Sequence, residues 1–74
     1  MKLPSVSGKE VVRALLKEGF IVVGQKGSHI KLRQEKIDTT VTVIIPNHKE
    51  IKPGTLKAIL REAGIDLKYF VSLL

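Results

Sequence analysis

Val11, Val12, Leu15 and Leu16 recur at the three- and four-residue spacing of a helix, while Lys9, Arg13 and Lys17 form a basic ridge on the other side. Ser7-Gly8-Lys9-Glu10 ahead of them fits a capping box, with Ser7 as N-cap and Glu10 reaching back to it. The pattern predicts a first helix from about Gly8 to Glu18, stopped by Gly19. The period then changes. Phe20-Ile21-Val22-Val23 is a β-branched run and reads as strand one, and Gly24–Ser28 reads as a turn. From His29 to Arg33 the chain alternates: Ile30 and Leu32 point to one face, and His29, Lys31 and Arg33 to the other.

Gln34–Asp38 is polar and reads as a loop. Strand three spans Thr39–Ile45, where Val41, Val43 and Ile45 alternate with Thr40, Thr42 and Ile44; Pro46 cannot donate to a ladder and ends it. After an Asn47–Pro53 loop, Leu56, Ile59, Leu60 and Ala63 take helical spacing, with Gly64 and Ile65 as the stop. Asp66 caps a last short helix over Leu67–Leu73, whose Leu67, Phe70 and Val71, with Leu74, either return to the core or meet a partner. The order is α-β-β-β-α with a short terminal helix. Consecutive strands with short connections favour an antiparallel meander. The expected fold is therefore α+β in two layers: a three-stranded antiparallel sheet with helices on one face and the His29–Lys31–Arg33 face free. This is the layout of the double-stranded-RNA-binding domain.

Length and composition narrow the picture. Seventy-four residues make one expected domain, 1–74, with no linker or repeat. The chain is 43% apolar but 4% aromatic, so its core is built from aliphatic side chains. Thirteen Lys and Arg against seven Asp and Glu give a net charge of +6, which favours a polyanionic partner. There is no cysteine, and two histidines with few carboxylates nearby do not make a metal site; no cofactor is expected. Met1-Lys2-Leu3-Pro4 lacks the apolar run of a signal peptide and no window has the length of a membrane span, so a cytoplasmic protein with no membrane partner is expected.

The alternating stretch carries the candidate chemistry. An imidazole exchanges protons near neutral pH, and Lys and Arg beside it bind phosphodiester oxygens. Lys26, in the turn, adds a further cation. Two readings of this face stand side by side: acid–base chemistry on a nucleic-acid backbone, or an ordinary solvated strand that contains a histidine.

The chain resembles the HicA family of small toxins, the RNA-cleaving half of the HicAB toxin–antitoxin system. The likeness runs from Ser7-Gly8-Lys9-Glu10-Val11 and Leu16-Lys17-Glu18-Gly19-Phe20 through Gln25-Lys26-Gly27-Ser28-His29 and Ile45-Pro46-Asn47-His48. It ends with Lys52-Pro53-Gly54-Thr55-Leu56 and Ile59-Leu60-Arg61-Glu62-Ala63-Gly64-Ile65. The resemblance implies an endoribonuclease that cuts messenger RNA without a metal, restrained by a HicB-like antitoxin. It places the catalytic histidine of the family's Gly-Ser-His at His29. Family members often carry a basic residue before the Gln of this motif, and here that position is Gly24.

On this reading His29 takes the proton of a ribose 2′-OH, while Lys26, Lys31 and Arg33 hold the phosphate. Ser28 either orients the imidazole and meets RNA or simply shapes the turn. His48 is a possible auxiliary proton-transfer group or a structural loop residue. A non-catalytic double-stranded-RNA-binding module is the alternative. It would use Lys52 and Lys57 at the start of the second helix, a sparse set for that role. A pure protein-interaction subunit facing an acidic partner is a third.

Overall fold

A computed structural model describes residues 3–74; Met1 and Lys2, on which part of the expectation about a leader rests, lie outside the described residues. The elements run α1 (Gly8–Glu18), β1 (Ile21–Lys26), β2 (His29–Glu35), β3 (Thr40–Pro46), α2 (Pro53–Ala63) and α3 (Leu67–Leu73). The strands form one antiparallel sheet in the order β1-β2-β3, so β1 and β3 are both edges. This is the α+β, double-stranded-RNA-binding-like arrangement the pattern predicts.

Local chemistry sets the helix ends. The Glu10 N–H donates to Ser7 Oγ at 3.1 Å and the Ser7 N–H to Glu10 Oε1 at 3.0 Å, a complete capping box. At the other end Gly19 takes φ +110°, and the Gly19 and Phe20 N–H groups donate to the Leu16 and Leu15 carbonyls. Gly64, at φ +74°, ends α2 in the same way, with the Ile65 N–H on Leu60 and its side chain buried. Asp66 caps α3 by accepting from the Tyr69 N–H at 2.7 Å.

One face of the sheet makes the core. Ile30 and Leu32 of β2 and Val43 and Ile45 of β3 pack with Val11, Ala14 and Leu15 of α1, with Leu56, Ile59 and Leu60 of α2, and with Phe20 and Phe70. Each of the larger ones, Val, Leu, Ile and Phe, contributes about 1.5–3 kcal/mol by leaving water. The buried stripe of α1 is centred on Val11, Ala14 and Leu15; Val12 is half-buried and Leu16 is exposed, because the helix turns its edge toward solvent. Phe70 brings α3 back onto the core, whereas Val71 and Leu74 stay exposed.

Strand boundaries differ from the expected ones in all three strands, and β3 starts at Thr40 rather than Thr39. Phe20 belongs to the α1 terminus and the core, and β1 runs on to Lys26. Gly24 keeps a strand conformation and pairs with Lys31, next to an irregularity between Val22 and Gly24 that leaves Val23 unpaired. The turn therefore shrinks to Gly27-Ser28. Strand β2 continues to Glu35 because Gln34 and Glu35 pair with Val41 and Thr40. Pro46 is the last residue of β3, tolerated at an edge where no donor is needed.

Candidate nucleic-acid interface

Strand pairing fixes what surrounds His29. On the face away from the helices, Lys26, His29 and Pro46 form one cross-strand row. Gly24, Lys31 and Ile44 form the next, and Ile21, Arg33 and Thr42 the third. Rows of one face lie about 7 Å apart along a strand, and neighbouring strands about 4.8 Å apart. Lys26 and Lys31 thus both stand within side-chain reach of one phosphate beside His29. Glu35 closes the far end of the face opposite Thr40, so positive charge is concentrated at the hairpin end.

The hairpin is built to hold this geometry. Lys26 and His29 are the pair that closes a two-residue loop. Gly27 sits at φ +59° and Ser28 has a negative φ, the combination of a type II′ turn, whose twist suits a hairpin. Gln25 braces the loop from inside the motif: its Nε2 donates to the Gly27 carbonyl at 3.3 Å. The Asn47 N–H donates to the Ser28 carbonyl at 2.6 Å, which ties the segment after β3 to the same turn. Ser28 thereby has a defined place in the backbone of the turn.

Lys26, Ser28, His29 and Lys31 line a single open concavity of about 680 Å³, shared with Gly24 and Ile44. His29, Lys26 and Lys31 are exposed, and none of the side-chain hydrogen bonds among the described residues engages them. Arg33 lies on the same face one row beyond the concavity. It is half-buried, and its Nε is out of contact with solvent without an acceptor.

His48 is at the same end of the sheet but not in the same concavity. Its carbonyl accepts from the Gly8 N–H at 2.8 Å, and its exposed side chain lines two neighbouring hollows, one with Lys9 and Lys49 and the other with Lys52 and Thr55. Among the described residues no three His, Cys, Asp or Glu side chains gather as metal ligands, and no helix is long and apolar enough to cross a membrane.

Four members of the concavity, Gly24, Gln25, Gly27 and Ile44, lie outside the expected set. Ile44 is 46% exposed beside Lys31, and its phase with Thr40 and Thr42 is the signal that marks it. Gly24 reads as a turn residue in the sequence and is revealed by pairing alone. In a comparison with known families, the family described as the HicA toxin of bacterial toxin–antitoxin matches residues 8–65. A comparison with curated proteins finds no match.

Proposed function

The chain belongs to the HicA toxin family of bacterial toxin–antitoxin systems, and from that premise we propose that it is a metal-independent endoribonuclease acting on messenger RNA through His29. The observation that carries the proposal is the row Lys26–His29 beside Lys31 on a sheet face that no helix covers. His29 takes the proton of a ribose 2′-OH. The 2′-oxygen bonds to phosphorus, the bond from phosphorus to the 5′-oxygen breaks, and the departing oxygen takes a proton from the imidazolium or from water. Lys26 and Lys31 face the charge that builds on the phosphate oxygens, and Arg33 holds the strand one row further on. One positioned base contributes typically about 10²–10⁴-fold, which suits a slow, regulated nuclease. Ser28 keeps the turn in register. His48 lies in separate hollows, which supports a structural or strand-guiding role rather than a share in the proton transfer.

The free cationic face also supports the partner assignment: an acidic HicB-like antitoxin lying over Lys26, Lys31 and Arg33 blocks the same surface that RNA needs. The test of the chemistry is product analysis. Cleavage must leave a 2′,3′-cyclic phosphate, and a DNA of the same sequence must stay intact. DNA cleavage at a comparable rate contradicts the mechanism. A protein that shifts a perfect RNA duplex and cuts nothing supports the non-catalytic binding module, which the fold alone also permits.

A further inference from the structure

Gly24 makes a notch in the open face at the one place where a side chain would otherwise stand between β1 and Lys31. A Cβ built there meets nothing within 4 Å, so the space above it is free, and the backbone there needs no glycine. Ile44 closes the other side of the same row and is the apolar wall of the concavity. The hollow's volume, about 680 Å³, lies within the roughly 300–1,000 Å³ common for small-ligand sites. It is open on one side, as a polymer segment requires.

From this geometry we infer that the Gly24–Lys31–Ile44 row is a nucleobase subsite for the nucleotide adjoining the phosphate held at His29. The inference rests on the ribonuclease reading and adds a substrate contact to it. RNA-binding surfaces usually hold unpaired bases on aromatic rings. No phenylalanine or tyrosine ring stands there: Phe20 and Phe70 are in the core, and the Tyr69 hydroxyl is bonded to Glu18, while the one ring in the hollow, the His29 imidazole, is engaged with the ribose and phosphate. A base entering the hollow meets the Ile44 side chain, the bare backbone at Gly24 and the aliphatic stem of Lys31. The Lys26 and Lys31 ammonium groups remain available for its phosphate. Selection at this position is by shape and depends on the missing side chain at residue 24.

The test is a pairing of protein and substrate variants. Once the parent's cleavage position is mapped, a single abasic ribose is placed at the nucleotide on either side of it. The subsite predicts that one of the two abasic substrates is cut at least tenfold more slowly by the parent. Gly24→Val, a residue suited to an open strand position, loses a similar factor on the full RNA and no longer distinguishes it from that abasic one. Equal rates for Gly24→Val and parent on the full RNA overturn the inference, as do equal rates for full and abasic RNA with the parent. A second readout does not need cleavage. Amide resonances of Gly24 and Ile44 are followed in His29→Ala as each oligonucleotide is added. Shifts with the base-bearing RNA that vanish with the abasic one support the subsite; identical shifts with both, or none with either, overturn it. A parent that cuts no RNA removes the ribonuclease reading and leaves this second measurement to decide.

Discussion

Gly8 opens α1 where a side chain does not fit. A Cβ at this position would overlap the Pro46 carbonyl oxygen and press on the Asn47 Cα, both backbone atoms that cannot swing aside. The Gly8 N–H also donates to the His48 carbonyl at 2.8 Å, so this residue fastens the start of the helix to the segment behind the His29 hairpin. Gly8→Ala is expected to destabilise the protein by about 1–3 kcal/mol, the usual cost of overpacking, read as a lower urea midpoint. An unchanged midpoint would mean that the contact relaxes freely. Gly27, held at φ +59°, answers to backbone conformation instead: Gly27→Ala should cost about 1–2 kcal/mol, the left-handed penalty, although nothing crowds its Cβ. The outward face of His29 is legible in the sequence because alternation with Ile30 and Leu32 leaves one orientation. The close approach at Gly8 is not, since it is made by residues 38 and 39 positions away that only the tertiary fold brings near.

At the scale of elements, β1 and α3 show where local pattern stops being informative. All residues of β1 are exposed, Ile21 at 59%, since it is an edge whose pairing is interrupted at Val23. Three β-branched residues in a row announce a strand, but neither the irregularity nor the extension to Lys26 has a local signal; both follow from the register with β2. Helix ends are legible to the residue where capping chemistry writes them, as Ser7 with Glu10 and Asp66 with Tyr69 do. Helix α3 is held against α1 by Phe70, by Lys17 Nζ donating to the Leu73 carbonyl at 2.9 Å, and by the Tyr69 hydroxyl donating to Glu18 Oε1 at 2.8 Å. Phe70→Ala should cost about 3–5 kcal/mol. A chain of this length has roughly 4–11 kcal/mol in all, so that variant should lose at least about a quarter of it, read as a lower urea midpoint.

The Tyr69–Glu18 contact gives this element a pH signature. The hydrogen bond to the Glu18 carboxylate, then its negative charge, then partial burial raise the Tyr69 hydroxyl above its ordinary value of 10.0. The folded state therefore favours the neutral phenol. Its contribution is present below about pH 10 and is lost as pH rises through the raised value. With one tyrosine in the chain, phenolate absorbance reports it directly. The titration midpoint should lie higher in the parent than in Glu18→Gln, and coincident curves would show that the contact does not form in solution.

For the molecule as a whole, with its net charge of +6, part of the positive charge is gathered at one end. The cations facing the open sheet are at the hairpin end, and Lys9, His48, Lys49 and Lys52 adjoin them at the same end of the fold. RNA binding should therefore fall with salt. Three phosphate contacts at Lys26, Lys31 and Arg33 correspond to a slope of about −2 in log K against log salt for a single strand. Lys31→Gln should flatten it by about 0.7. Fluorescence anisotropy with His29→Ala, expected to hold RNA without cutting it, measures both; a salt-independent affinity would sink the phosphate assignment.

The central claim, that His29 on the open face performs metal-independent RNA cleavage, is met most directly by one comparison. The purified parent and an identically prepared His29→Ala are incubated with single-stranded RNA in EDTA. Cleavage by the parent and none by the variant is the predicted result. Equal cleavage by both, or cleavage by the parent only when a divalent cation is restored, contradicts it.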